Sequence, residues 1–174
     1  MILVDPDLDS DPPSFALQTK RTSSADPPLT DRDRRLPSAR TLSHFLSDAQ
    51  AAVRLRGQVS VLLTTDQAIR RLNRQFRRIN KATDVLSFPA PQVAAGEVAG
   101  DLAISVPTAL RQAREQGHAL AVEIKVLILH GLLHLAGFDH ESDSGKMARR
   151  ERLLRGRLGL PQGLIERTRA GVTR

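Results

Sequence analysis

Three of the chain's five histidines fall within one short run, His130-Gly131-Leu132-Leu133-His134-Leu135-Ala136-Gly137-Phe138-Asp139-His140. A four-residue spacing puts His130 and His134 one above the other on a single helical face. Gly137 stands one turn further on, where a left-handed residue ends a helix and reverses the chain. Such a turn swings His140 back toward the first two imidazoles. The chain has no cysteine, so a metal here must be held by imidazole, carboxylate or water. Zinc is the first expectation, because three imidazoles leave a fourth position for water, the open arrangement of catalytic zinc. Other late divalent ions also suit imidazole. Zinc lowers the pKa of bound water from 15.7 to roughly 7, which supplies a nucleophile without a strong protein base.

The spacing H-x3-H-x5-H resembles the zincin motif H-E-x-x-H-x-x-G-x-x-H at every ligand and at the glycine. It departs at one position, where the glutamate that serves as general base in a metalloprotease is Gly131. Peptide hydrolysis then lacks its usual proton shuttle. Phosphodiester cleavage depends less on that one residue when arginines neutralise the phosphate.

Charge points the same way. The net charge is +7 and the isoelectric point is near 11.1. Residues 1–33 hold seven aspartates against Lys20, Arg21 and Arg32, so the excess of positive charge lies in residues 34–174. A surface this rich in arginine suits a polyanion such as RNA, although a well-solvated basic protein has the same composition. Aromatic residues make up 3% of the chain, with no Trp and no Tyr. That offers little for base stacking on aromatic platforms, so phosphate contacts are expected to carry RNA affinity.

The elements that must position these residues follow from periodicity and punctuation. Ile2–Val4 reads as a short first strand, and residues 7–37, rich in Pro, Asp, Ser and Thr, as a flexible insertion. Ser38 or Thr41 caps a helix to about Arg54 with Leu42, Phe45, Leu46, Ala49 and Val53 inward. Val59–Thr65 is a strand, and a helix follows to Arg77 with Ile69, Leu72 and Phe76 inward. Asp84–Pro89 and Gly100–Val106 are further strands, and Pro107 suits the first turn of the next helix. Ala119–Leu135 forms a long apolar helix carrying His130 and His134. Ser144–Leu158 forms a last helix exposing Lys146, Arg149, Arg150, Arg152, Arg155 and Arg157. The fold expected is α/β (α+β), with one small mixed sheet of about four strands and five or so helices. Its metal site lies on a central apolar helix and the turn after it. The domain spans 38–160, and 161–174 is a basic tail. A length of 174 residues fits one such domain. The start MILVDPDLDS lacks the pattern of a signal peptide, and no apolar run reaches the ~18 residues of a membrane span. The expectation is therefore a cytoplasmic protein without membrane partners.

Three motifs together resemble the YbeY family of bacterial endoribonucleases, also called rRNA maturation factors. His130–His140 matches that family's signature. Leu72-Asn73-Arg74-Gln75-Phe76-Arg77, followed by Asn80 to Pro89, resembles its second one (L-N-x-x-[YF]-R … K-x-T-[DN]-V-L-S-F-P). Gly100-Asp101-Leu102-Ala103-Ile104 resembles its G-D-I-x-I strand. The resemblance covers roughly residues 38–160. It implies a zinc-dependent, single-strand-specific endoribonuclease acting in 16S rRNA 3′-end maturation and ribosome quality control, with single-stranded rRNA and the small ribosomal subunit as partners. It also implies that His130, His134 and His140 are the zinc ligands, and that Arg77 faces substrate phosphate.

Apart from the family, Arg77 offers a bidentate guanidinium, but with Arg74 and Arg78 beside it a solvated basic helix end is the more ordinary explanation. Lys81 shares that ambiguity. Ser87 sits in a strand that could line the cleft, or simply packs. His134 and Arg77 are the residues assigned to catalysis, and Arg77, Lys81 and Ser87 those assigned to substrate. Asp101 and Asp139 are the candidate carboxylates behind a histidine, with turn capping the more ordinary role for Asp139. Glu123, about two turns before His130, is too far to ligate and is expected to pair locally. His118 at the helix break reads as a surface cap unless it approaches the site. Two other functions compete with the nuclease: a ribosome-associated RNA-binding assembly factor with a structural metal, and a zincin-derived hydrolase of small substrates. Gly131 and the surplus charge count against the second of these.

Overall fold

A computed structural model describes residues 1–10, 30–91, 96–139 and 143–161. Four strands, β1 (Ile2–Val4), β2 (Gln58–Thr64), β3 (Val85–Pro89) and β4 (Val98–Ser105), form one mixed sheet in the order β1-β2-β4-β3. β1, β2 and β4 are parallel, and β3 runs antiparallel to β4 along one border, with Ser87 opposite Leu102 and Phe88 opposite Asp101. Proline at the end of β3 is at home there, because a border strand tolerates a missing donor.

Five longer helices surround the sheet: α3 (Ala39–Val53), α4 (Asp66–Arg77), α5 (Val106–Glu115), α6 (Leu120–Leu135) and α7 (Lys146–Arg157). Their starts are chemically marked. The hydroxyls of Ser38, Thr65 and Ser105 accept the N–H groups of Thr41, Ala68 and Thr108, capping α3, α4 and α5. Two single turns, α1 (Asp7–Ser10) and α2 (Asp31–Arg34), stand at the ends of the segment read as a structureless insertion. Leu8 and Leu36 pack on the core there, while residues 11–29 and the tail from 162 lie outside the described residues.

Side chains alternate across the strands and divide the interior in two. Val59, Val61, Leu63, Leu102 and Ile104 join Leu42, Leu46, Leu127 and Leu132 in the main core beneath α3 and α6. Leu86 and Ala103 face the other way and meet Ile69 and Leu72 of α4. α6 is apolar on nearly every side, as a central helix must be, and Ile124 and Val126 to Leu129 are fully buried. The inward stripe of α3 is the one expected from sequence. The stripe of α4 differs at its end, because Phe76 is 59% exposed rather than buried. Among the described residues, no single helix is long and apolar enough to cross a membrane.

Candidate metal centre

α6 ends in a Schellman turn. Gly137 takes φ 86°; its N–H reaches the His134 carbonyl (3.0 Å), and the Phe138 N–H reaches that of Leu133 (3.0 Å). The glycine therefore does what its spacing suggests, closing the helix directly after the second histidine. His140 lies outside the described residues.

His130 and His134 face each other across one helical turn, with Nε2 atoms 3.1 Å apart and ring centroids 4.8 Å apart. Two nitrogens each about 2.0–2.1 Å from a tetrahedral zinc stand roughly 3.3–3.4 Å apart. The pair thus has the separation that a shared ion requires. His130 is buried, and its Nδ1 lies 3.1 Å from Glu151 Oε2. The Glu151 carboxylate accepts from Nδ1, which leaves Nε2 as the nitrogen facing His134. Among the described residues no three His, Asp or Glu side chains are placed to hold one ion together.

The supporting carboxylate was not foreseen. Asp101 and Asp139 are both exposed, and the Asp139 carbonyl accepts the Asp143 N–H (3.0 Å) in the turn after α6. Glu151 takes the part for His130, from α7. Met147, Glu151, Leu154 and Arg155 form the inward stripe of that helix. Arg155, expected on the surface, is 1% exposed. Its Nε donates to Glu151 Oε1 (2.8 Å), Nη2 bonds the same oxygen, and Nη1 reaches the Pro161 carbonyl (2.7 Å). Burial works against the Glu151 charge, but His130 and Arg155 outweigh it and hold the carboxyl below its ordinary pKa. The sequence signal was present: Glu151 and Arg155 are four apart, a pairing register. In so basic a helix it reads as surface.

Gly131 sits where α6 comes closest to the sheet. A Cβ there would lie 2.7 Å from Leu102 Cδ2 and 3.3 Å from Ser87 Oγ. Any side chain in place of the peptidase glutamate would start against the sheet and require buried Leu102 to shift. Ser87 is half-buried, and its hydroxyl points at the Gly131 carbonyl (3.4 Å).

Arg77 is the exposed last residue of α4, on the face of the sheet opposite α6. Lys81 is also exposed, and its carbonyl accepts the Asn73 amide (2.7 Å). The site residues expected from sequence therefore form two groups flanking β3, with His130, His134 and Ser87 on one side and Arg77 and Lys81 on the other. Glu123 is fully buried and pairs with His118 at the α5–α6 turn, the local pairing its position suggested. Exposed Lys146, Arg149, Arg152 and Arg157 line the outside of α7. Arg150 instead donates to the Ala52 carbonyl at the end of α3 (3.1 Å).

Fold and site together define a small α/β domain that presses a histidine-paired helix onto a mixed sheet. The family model described as Endoribonuclease YbeY matches residues 30–159, and the chain belongs to that family. Endoribonuclease YbeY of Koribacter versatilis is 56% identical over 131 residues, spanning 75% of this chain and 84% of that protein. Endoribonuclease YbeY of Solibacter usitatus is 49% identical over 129 residues, spanning 74% and 85%. A Thermotoga maritima protein whose structure was solved in solution shares the fold. Its TM-score is 0.50 at 24% identity, over 79% of this chain and 90% of that one.

Proposed function

We propose that this protein is a zinc-dependent endoribonuclease that cleaves single-stranded RNA, acting in the cytoplasm on 16S ribosomal RNA 3′ ends and in ribosome quality control. Family membership supports the nuclease class. The observation that carries the metal is the facing Nε2 pair, 3.1 Å apart, with a buried carboxylate behind one ring. His130, His134 and His140 would hold the ion. When bound, zinc acidifies a water ligand and polarises a phosphoryl oxygen. The chain's own residues do the rest. Glu151 keeps the proton of His130 on Nδ1, so that Nε2 remains a ligand. Gly131 and Leu102 exclude a peptidase-type base. Arg77 and Lys81 offer cations to phosphates of an RNA that passes the β3 border.

Zinc analysis combined with cleavage of single-stranded RNA by wild type, His134→Ala and Arg77→Ala tests this reading. Wild type is expected to hold one zinc and cleave, His134→Ala to lose both properties, and Arg77→Ala to keep zinc but cleave poorly. Equal cleavage by folded His134→Ala and wild type would defeat the metal nuclease. The cationic outer face of α7 favours one other reading, a ribosome-associated assembly factor with a structural metal. That reading gains if wild type and His134→Ala both bind RNA and neither cleaves.

A further inference from the structure

Phe76 occupies a position that its helix has no structural use for. Ile69 and Leu72 of the same stripe pack against the sheet, yet Phe76, one turn later, leaves 59% of its surface in water. Its ring is nonetheless held. It stands edge-to-face on Phe88 of β3, with centroids 5.1 Å apart and planes at 68°, a favoured aromatic geometry. Ile79 is 51% exposed just beyond it. Around this apolar spot, Arg74, Arg77, Arg78 and Lys81 are all exposed. No Asp or Glu occurs between residues 67 and 83.

We propose that Phe76, braced by Phe88, is a base-stacking platform for single-stranded RNA, with the neighbouring cations holding the phosphates on either side. This rests on the endoribonuclease reading and adds a substrate subsite to it. An exposed aromatic set among cations is the combination that single-strand binding uses, because every base has a stackable face while the backbone needs countercharge. Exposed Asp101 pairs opposite Phe88 on this face, but the four cations outnumber it and favour a polyanion over an apolar protein partner. Placement supports this too. Phe88 and Ser87 are consecutive in the border strand and point to opposite faces, Phe88 toward Phe76 and Ser87 toward Gly131 between the histidines. β3 thus joins the two sides, touching the platform through Phe88 and the histidine-bearing helix through Ser87, so a strand of RNA crossing the β3 border would meet both. The low aromatic content offers little for base stacking in general, yet two of the five phenylalanines meet at this spot.

The absence of Trp and Tyr supplies the test, since Phe76→Trp introduces a single indole at the platform. Stopped-flow titration of the full chain with single-stranded oligoadenylate, read before cleavage proceeds, is expected to quench that fluorescence. A double-stranded RNA of equal length leaves it unchanged. Phe76→Leu is expected to weaken oligoadenylate binding roughly 5- to 150-fold, the range for loss of one stacked base. Phe76→Tyr restores binding, and thermal melting shows the Leu variant as stable as wild type. Equal affinity of Phe76→Leu and wild type, or an unquenched indole despite tight binding, overturns the platform and turns the patch toward a protein partner. If wild type cleaves single-stranded RNA while Phe76→Leu cleaves and binds identically, only the platform fails. If wild type neither binds nor cleaves it, the endoribonuclease reading falls as well.

Discussion

The two faces of β3 hold their charges in opposite ways. On the α6 side, His130, Glu151 and Arg155 are buried, and each is tied to the next by hydrogen bonds. On the α4 side, Arg74, Arg77, Arg78 and Lys81 stand in water on flexible stems. A metal ligand must be placed to within a fraction of an ångström, and only packing and buried hydrogen bonds give that accuracy. A cation that meets a mobile, single-stranded polyanion works through its field and gains from freedom to adjust. Stability and metal affinity should therefore depend on the first face, and substrate affinity and its salt dependence on the second.

The sharpest way to break this comparison is Glu151→Leu, which leaves Arg155 buried without its carboxylate. A loss of roughly 3–5 kcal/mol of stability is expected, read from urea unfolding. The double variant Glu151→Leu/Arg155→Leu should recover most of it, because an apolar pair can replace a buried ion pair. Zinc binding, measured against a competing chelator, should weaken about 10- to 100-fold in the single variant. If that variant unfolds and binds zinc as wild type does, the buried face has no special role. Gly131→Ala should come next. Better helix propensity is outweighed by the contact with buried Leu102, giving a net loss of roughly 1–3 kcal/mol, and a rise in melting temperature would contradict it. Arg77→Ala should change stability by no more than about 0.5 kcal/mol. The slope of log affinity for single-stranded RNA against log salt should fall by about 0.7 for each phosphate contact removed. An unchanged slope would take Arg77 off the substrate path.

The smallest expected effect lies away from both faces, at the start of α4. Burial raises the Asp66 carboxyl pKa, but hydrogen bonds from Ser105, Thr108 and Arg111 more than offset this and hold it below the usual 3.8. A lowered folded value means that Asp66 adds stability above the unfolded pKa and loses it as pH falls through the folded one. Asp66 is about one-third exposed, so solvent screening limits the gain to under about 1 kcal/mol. Asp66→Asn should therefore cost little at neutral pH and make unfolding below about pH 4 less steep in pH. An identical acid limb for the two proteins would remove Asp66 as a source of that dependence.

Much of this organisation could be read from local chemistry. Ser38 and Thr65 cap helices because a hydroxyl precedes an amphipathic stripe, and Gly137 turns the chain because little else takes its φ without strain. Two residues were misread for a common reason. Arg155 looked exposed because its helix is basic, and Phe76 looked buried because its stripe is apolar. Local patterning gives the average character of a face, whereas docking decides individual positions. α7 turns one charged pair inward against α6, and α4 carries its last aromatic past the contacts that bury Ile69. Glu151 was missed as the histidine's partner because that contact joins residues 21 apart in sequence, a distance that no helical period spans.

The contact of Gly131 with Leu102 has an evolutionary consequence. Two substitutions are coupled: a larger residue at 131 becomes tolerable only once position 102 has shrunk, and shrinking Leu102 first opens a cavity under the helix. A lineage starting here must cross a less stable intermediate to acquire a peptidase's base, so close packing of one helix on one sheet also keeps the chemistry from drifting.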